Sequence, residues 1–279
     1  MKYLINIIFV TISFSVDILS VGFPNNAKAL ASSGYGVAFD EAYSINPASI
    51  SSNNMTRFEF SNNNWIFDIR GSYLSYIDNN MKLSGFYWQV DDIEMYGDTP
   101  SDSPLSTFGS KTLVLNSAQG FNFNNHQLGY SLKYTYMKLL EYEDKGFVLD
   151  LGYRYQFSKG SSIGLVIKNL NTGFKDESQL PEIVILGTSQ KVKNIPVTLN
   201  LDVFNNSSQD ISGLYQGLVI DSKYLNLLAG YSYINESEEL DISLGVNFLW
   251  NNLEFSISTL IKENDEIGNP IFYQLSYRL

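Results

Sequence analysis

Hydrophobic and polar residues alternate along most of the chain after Met55. In Val197–Val203, apolar residues occupy every second position, with Thr, Asn and Asp between them. Leu128–Tyr136, Phe147–Phe157 and Leu240–Phe248 follow the same period of two. Successive side chains of a β-strand point to opposite faces, so each segment predicts a strand with one apolar and one polar wall.

The length of these segments distinguishes them from the strands of a soluble sandwich. They run to about 9–12 residues, against a mode of about 5–6 in soluble proteins, and match a tilted strand that crosses a bilayer. About fourteen of them occur, joined alternately by short turns such as Asp78–Asn80 and longer loops such as Asn171–Pro181. The last, Ile271–Leu279, is well placed to close the sheet, because lipid cannot satisfy an open edge. The sequence therefore predicts an all-β fold, a closed antiparallel transmembrane β-barrel over residues 55–279.

Composition and charge narrow the function classes. Charged residues make up 17% of the chain and aromatic ones 14%, which fits strands between lipid and an aqueous lumen, although composition alone leaves a secreted β-sandwich open. The net charge of -11 argues against nucleic acid as a partner, because phosphate binding needs a basic face. The lack of cysteine excludes a disulfide scaffold, a thiolate metal site and a cysteine nucleophile.

Residues suited to catalysis or metal binding are scarce. His126, the only histidine, follows Asn124 and Asn125 at a predicted turn, which argues against a Ser-His-Asp triad and a zinc site. A predicted outer loop is acidic, and calcium binding by its carboxylates is one interpretation. The loop lacks the spaced glycine and glutamate of a known calcium loop, so a solvated loop is favoured. Its acidic residues are Asp91, Asp92, Glu94, Asp98 and Asp102. We predict a protein that is not an enzyme and holds no cofactor.

The first residues have the pattern of an export signal. Lys2 provides a positive charge, Tyr3–Ile12 is nearly all apolar, and Ser13–Ser15 offers small residues at the positions that signal peptidase reads. We expect residues 1–15 to form a signal peptide that is cleaved after Ser15. A membrane anchor is the alternative, but the apolar run is short for one. Export of a barrel predicts the outer membrane of a diderm bacterium, with its lipid as the surrounding partner.

Three motifs lie between this signal and the barrel. Val21–Leu30 reads VGFPNNAKAL, Gly34–Ala42 reads GYGVAFDEA, and an Asn-Pro-Ala turn follows at Asn46–Ala48. Together with the strand motifs Gly146–Gly152 and Val166–Leu170, they resemble the PorV/PorQ family of outer-membrane barrels. The resemblance implies a FadL-like barrel with an N-terminal plug. It also implies a part in type IX secretion, with cargo or other proteins as partners, whereas the FadL-like relatives pass hydrophobic small molecules.

We predict that the N-terminal segment, residues 16–54, is a plug or hatch inside the barrel. Its alanines favour a compact helix, and its glycines permit tight turns or close packing. The Asn-Pro pair restricts the backbone just before the first strand. The residues assigned to the plug are Ala27, Ala29, Leu30, Gly34, Gly36, Asn46, Pro47 and Ala48. The alternative is an ordinary periplasmic strand that leads into the barrel.

The polar positions of the strands are expected to face the lumen. The charged residues assigned to this wall are Lys133, Asp150, Arg154, Asp202 and Asp241. Opposite charges on neighbouring strands either pair and stiffen the wall or select the solutes that pass a pore. Several aromatic residues are expected in the girdles at the membrane interfaces. They are Tyr73, Trp88, Tyr130, Tyr153, Tyr231 and Trp250.

The sequence leaves two functions open. One is a secretion-associated barrel whose outer loops and plug contact protein partners. The other is a FadL-like channel for small apolar solutes with a movable plug. A channel should have apolar residues inside the lumen near the plug, whereas a partner-binding barrel can have a sealed lumen and a large platform of loops. The inward face is mostly small and polar in sequence, which argues against an apolar channel. The family resemblance also favours the secretion-associated barrel.

Overall fold

Fourteen antiparallel strands form a closed barrel in the computed structural model, which describes residues 24–32, 36–41, 44–52, 56–96, 103–175, 180–206, 211–235, 239–262 and 268–279. The strands are β1 (Arg57–Asn64), β2 (Arg70–Asp78), β3 (Met81–Met95), β4 (Ser106–Phe123), β5 (His126–Leu139), β6 (Tyr142–Ser158), β7 (Ser161–Thr172), β8 (Ile183–Lys191), β9 (Val197–Asn206), β10 (Ile211–Ile220), β11 (Leu225–Ile234), β12 (Glu239–Trp250), β13 (Leu253–Lys262) and β14 (Ile271–Arg278). Each strand pairs with its sequence neighbours, and β1 pairs with β14 to close the ring. The predicted barrel of about fourteen strands is confirmed.

The alternation of side chains separates a lipid-facing wall from an inward wall. In β9, Leu199 and Leu201 are 47% and 42% exposed on the outside, whereas Asn200 and Asp202 are 4% and 0% exposed inside. In water, such a continuous apolar surface would be a liability; lipid covers it in a membrane barrel. The inward wall therefore carries the residues that can meet a solute.

Tight turns join the strands at one end, which is the periplasmic end of an outer-membrane barrel. Asn79, Asn124, Asn194 and Asn251 have φ between 50° and 65° in these turns, and Gly160 has φ 90°. Asparagine and glycine tolerate this left-handed backbone better than other residues. The turns thereby fix the register that brings inward residues of neighbouring strands to the same height.

Four consecutive strands are much longer than a bilayer requires. β3, β4, β5 and β6 have 15, 18, 14 and 17 residues, against about 9–11 for a strand that crosses a membrane. The periplasmic turns limit their extension at that end. These strands therefore form a taller part of the wall on the extracellular side.

The prediction of an acidic outer loop is wrong for its first part. Asp91, Asp92 and Glu94 belong to β3, because a bulge between Val90 and Ile93 lets the strand continue. Asp98 and Asp102 lie outside the described residues. Within the described ranges, no cluster of three or more histidine or acidic side chains could hold a metal ion.

The described part of the N-terminal segment lies within the barrel. Its helix α1 (Ala27–Ala31) packs against β12, β13 and β14, and its 3-10 helix (Pro47–Ser52) packs against β4, β5 and β6. No helix among the described residues is long and apolar enough to cross a bilayer. The predicted signal peptide and Gly34 lie outside the described residues.

A pair of substitutions on β9 tests which face meets lipid. We expect Leu201→Arg to destabilise the inserted barrel by about 2–4 kcal/mol, because it places a charge against the hydrocarbon. Asn200→Arg, one residue away, should be tolerated better, because its side chain lies on the inward wall and not against lipid. Urea unfolding in liposomes and heat-modifiable gel mobility measure the difference. Equal damage from both substitutions would contradict the assigned faces.

Candidate functional site

A row of glycines on the inward wall supports the 3-10 helix of the N-terminal segment. Gly120, Gly129 and Gly152 are direct neighbours across β4, β5 and β6. A Cβ atom at Gly129 would overlap the Pro47–Ala48 peptide, and one at Gly152 would overlap the Asn46 side chain. The missing side chains therefore allow the helix to lie directly on the wall. We call these three residues the glycine row.

Two further glycines provide similar close contacts elsewhere on the wall. A Cβ atom at Gly164 of β7 would meet the carbonyl of Val37, and one at Gly245 of β12 would meet Ala31. Ala31, Val37 and Ala48 are at most 1% exposed. The N-terminal segment thus contacts opposite parts of the wall through small residues on both partners.

Arg154 binds the backbone of the N-terminal segment from the wall. Its Nε donates a hydrogen bond of 2.6 Å to the carbonyl of Ala38, and its guanidinium forms an ion pair with Asp40. Gln127 and Ser162 on the adjacent strands accept two more of its hydrogen bonds. These partners satisfy most of the five donors of a side chain that is only 2% exposed.

Asp202, whose charge is opposite to that of Arg154, binds the same stretch of the backbone of the N-terminal segment. Its Oδ2 accepts hydrogen bonds from the backbone N–H groups of Gly36, at 2.5 Å, and Val37, at 3.1 Å. Gly36 has φ 110°, a backbone conformation that favours glycine. A carboxylate that accepts two backbone amides in a buried site fixes the position of both.

Asn46 connects two parts of the N-terminal segment with the wall. Its Nδ2 donates to the carbonyls of Val37, at 2.5 Å, and Tyr153, at 3.2 Å. Its Oδ1 accepts from the backbone N–H of Ala48. An aspartate here would lack both donated bonds, which gives a physical reason for asparagine before Pro47.

Charged residues hold α1 against β13. Lys28 forms ion pairs with Glu254 at 2.6 Å and with Glu41 at 3.7 Å. Arg278 also lies 3.2 Å from Glu254. In the turn after β10, the pKa of Asp221 is raised above its usual value, mainly by burial and in smaller part by the negative charge of Glu41. Further along α1, Ser243 donates a 2.8 Å hydrogen bond to the carbonyl of Ala31.

The other predicted lumen charges form ion pairs within the wall. Lys133 on β5 lies 2.5 Å from Asp150 on β6. Asp241 on β12 lies 3.8 Å from Lys262 on β13. The five predicted lumen residues thus fall into two groups. Arg154 and Asp202 hold the N-terminal segment, whereas these pairs link neighbouring strands.

An aromatic cluster faces the lumen beside the N-terminal segment. Phe86 and Trp88 pack edge to face with ring centroids 5.2 Å apart, and Trp88 lies 6.0 Å from Phe272. Leu30 of α1 packs against the same cluster. We call this set, with Tyr73, the aromatic cluster. Its residues are at most 7% exposed.

The prediction that Tyr73 and Trp88 belong to an interface girdle is therefore wrong. Both side chains are 1% exposed on the inward face. In contrast, Trp250 is 73% exposed at a periplasmic turn, and Tyr130 is 39% exposed on the outside. An aromatic ring fits either face of a barrel strand, so residue type alone cannot assign its direction.

A cavity of about 170 Å³ separates the N-terminal segment from the wall of β2–β8. The wall lines this cavity with polar residues, which include Lys82, Lys133, Asp150 and Lys168. Phe86 borders the cavity on its apolar side. Lys82, Ala118, Ser131 and Asp150 lie at one height, one inward position further from the periplasm than the glycine row. The cavity therefore lies on the extracellular side of the 3-10 helix. We call it the lumen cavity.

Sequence reasoning missed the glycine row and the aromatic cluster. Gly129 and Gly152 stand at inward positions of their strands, and that phase is visible in the alternation. Their alignment with Gly120 depends on the cross-strand register, which the turn at Asn124–Asn125 sets between β4 and β5 and the turn at Leu140–Glu141 sets between β5 and β6. A search for glycines at equal distances from successive short turns would have found the row.

Known structures with a similar fold are outer-membrane barrels. The toluene transporter TodX of Pseudomonas putida superposes with a TM-score of 0.61 at 13% identity, over 91% of this chain and 96% of that one. The toluene transporter TbuX of Ralstonia pickettii gives 0.60 at 13%, over 91% and 97%. The outer membrane protein Omp33 of Acinetobacter baumannii gives 0.51 at 8%, over 81% and 98%.

These similarities show the fold. The chain is an outer-membrane β-barrel, as its closed ring of strands and its apolar outer face also indicate. No protein-family model and no curated protein sequence matches it.

Substitution in the glycine row should displace the N-terminal segment. We expect Gly129→Val to raise ion conductance in planar bilayers and to speed proteolysis of the segment, because overpacking costs about 1–3 kcal/mol at such a contact. Gly85→Val is the matched control, since a Cβ there meets only Leu115 at 3.7 Å. Unchanged conductance and proteolysis in the Gly129 variant would show that the row does not support the segment.

Proposed function

We propose that the protein is a plugged outer-membrane channel for hydrophobic small molecules, with no enzymatic activity. The observation that carries this proposal is the aromatic cluster inside the lumen, next to α1. A water-filled porin channel has a polar lining, whereas this surface offers an apolar solute a place to leave water. Ligand sites are commonly concave and apolar with a few polar groups, which is the character of the lumen cavity below the cluster.

The arrangement of the lumen gives the proposed path a direction. Trp88 and Phe272 are covered by Leu30 and its neighbours, so a solute would contact the cluster at Tyr73 and Phe86, which line the lumen cavity, before it reaches the 3-10 helix. Because the helix lies directly on the glycine row, transport past this point requires the N-terminal segment to shift. We therefore assign residues 16–54 the role of a movable plug.

The similar structures support the choice of solute. TodX and TbuX are toluene transporters that share this fold over most of both chains. At 13% identity they support a class of solute, small and apolar, rather than a particular compound. Toluene is accordingly the probe for a first test.

A charge placed in the aromatic cluster should slow toluene transport. We expect Phe86→Asp to reduce toluene uptake by cells about tenfold, because a solute would have to pass a charge instead of a ring. Ser189→Asp adds the same charge to the inward wall on β8, away from the cluster, and should leave uptake near the level of the parent. Both variants must show normal heat-modifiable mobility. Toluene uptake that is equal in the two variants and in cells without the protein would refute the channel.

A second candidate is a secretion-associated barrel of the PorV/PorQ type. The tall wall of β3–β6 favours it, because Tyr96 and Leu105 near one tip are 50% and 70% exposed, and Leu140 at the other is 49% exposed. Such exposed apolar residues beyond the membrane are suited to a protein partner. The motifs of the N-terminal segment add the family resemblance. Co-purification of a cargo protein with a type IX secretion domain, lost in Leu105→Asp, would favour this candidate over the channel.

A further inference from the structure

The lumen cavity is lined by both apolar and charged side chains, and a neutral hydrocarbon would interact favourably only with the apolar ones. We propose that it binds a small organic anion, a monocarboxylate whose apolar body is about the size of one aromatic ring. This inference rests on the proposed channel and names a class of solute for its lumen.

The charge of the lining is opposite to that of the whole protein. The cavity is bordered by three lysines, Lys82, Lys133 and Lys168. Among the described residues of the same wall, Asp150 contributes a carboxylate. The chain as a whole has a net charge of -11. An anion site inside an acidic protein needs a local excess of positive charge, because the electrostatic field of the rest of the chain repels anions.

The three lysines are in different electrostatic situations. Lys133 is neutralised by Asp150 at 2.5 Å. Lys82 is 2% exposed, with its ammonium 5.6 Å from the centre of the Tyr73 ring. Among the described residues, Lys168 has no carboxylate within ion-pair distance and is influenced by Asp150 and Asp202 only at longer range.

Lys168 is partly buried. Partial burial of an ammonium without a nearby anion is unfavourable, and a bound carboxylate would reduce that cost. Lys168 lies within a register shift where β7 passes Asp150 of β6. The neighbouring backbone N–H of Asn169 donates to Asp150 at 3.1 Å, which holds this carboxylate on the wall. The geometry therefore assigns the ligand's negative charge to Lys168.

Neutral polar groups on the same wall complete a site for a carboxylate. Ser131 donates to Asn116 at 2.7 Å, and Asn116 donates to Ser84 at 3.4 Å. The bond to Ser84 is long, so the Asn116 N–H group is only weakly engaged and can donate to a ligand instead. A carboxylate accepts hydrogen bonds from both amide and ammonium groups.

The rest of the lining is largely apolar. Tyr73, Phe86, Val114 and Ile183 contribute from the wall, and Ile45 contributes from the N-terminal segment. The volume of about 170 Å³ is below the roughly 300–1,000 Å³ of pockets for drug-sized ligands. The cavity thus fits one ring or a short chain joined to the charged group.

Benzoate and its neutral isostere benzamide test the inference on the purified full-length barrel in detergent. Isothermal titration calorimetry should give benzoate an affinity at least tenfold higher, equivalent to about 1.4 kcal/mol. Lys168→Met should lower benzoate affinity to the level of benzamide and leave benzamide unchanged. The control Lys159→Met removes an exposed charge from a periplasmic turn and should change neither ligand. Heat-modifiable mobility checks that both variants fold.

Each outcome separates this inference from the channel on which it rests. Equal affinities for benzoate and benzamide, or benzoate binding that persists in Lys168→Met, would overturn the anion site while toluene uptake still supports the channel. No detectable benzoate binding would also overturn it. Benzoate binding that depends on Lys168, without any uptake of toluene, would support the anion site and refute a channel for hydrocarbons.

Discussion

A backbone segment enclosed in a barrel needs a partner for each of its buried polar groups, and this constraint shapes the inward wall. Lipid surrounds the outside, so water reaches the interior only through the two mouths. The carbonyl of Ala38 and the amides of Gly36 and Val37 have their partners in Arg154 and Asp202. Without the N-terminal segment, these two buried charges would lose the groups they bind, so segment and wall depend on each other.

Close packing adds a second requirement to hydrogen bonding. The glycine row leaves room for the 3-10 helix, and the small residues of α1 fit between β12 and β14. Side chains at those glycine positions would force the segment away from the wall and separate the polar pairs described above. The same contacts leave the lumen cavity on the extracellular side of the 3-10 helix, where apolar and cationic residues meet. In the proposed channel, closure and solute binding are two consequences of one arrangement.

The strand alternation made the fold and the direction of most side chains predictable from sequence. The inward direction of Arg154 and Asp202 follows from their phase in β6 and β9, but their backbone partners depend on the path of a segment with no repeating pattern. Phe86, Tyr87 and Trp88 are three consecutive aromatic residues, so their alternation cannot show which face is apolar. That ambiguity made the lumen look mostly polar and favoured the secretion-associated barrel. The aromatic cluster corrects this picture of the lumen.

In the proposed channel, the N-terminal segment closes the lumen and must move for a solute to pass. The chain has no cysteine, so Ala31→Cys with Ser243→Cys introduces a single pair, at a place where the native Ser243 hydroxyl lies 2.8 Å from the Ala31 carbonyl. Toluene uptake by proteoliposomes is measured after oxidation or a short thiol crosslinker, and again after the link is cleaved. We expect uptake to stop in the linked protein and to return on cleavage. Uptake by the fully linked protein at the rate of the unlinked one would contradict a plug that moves.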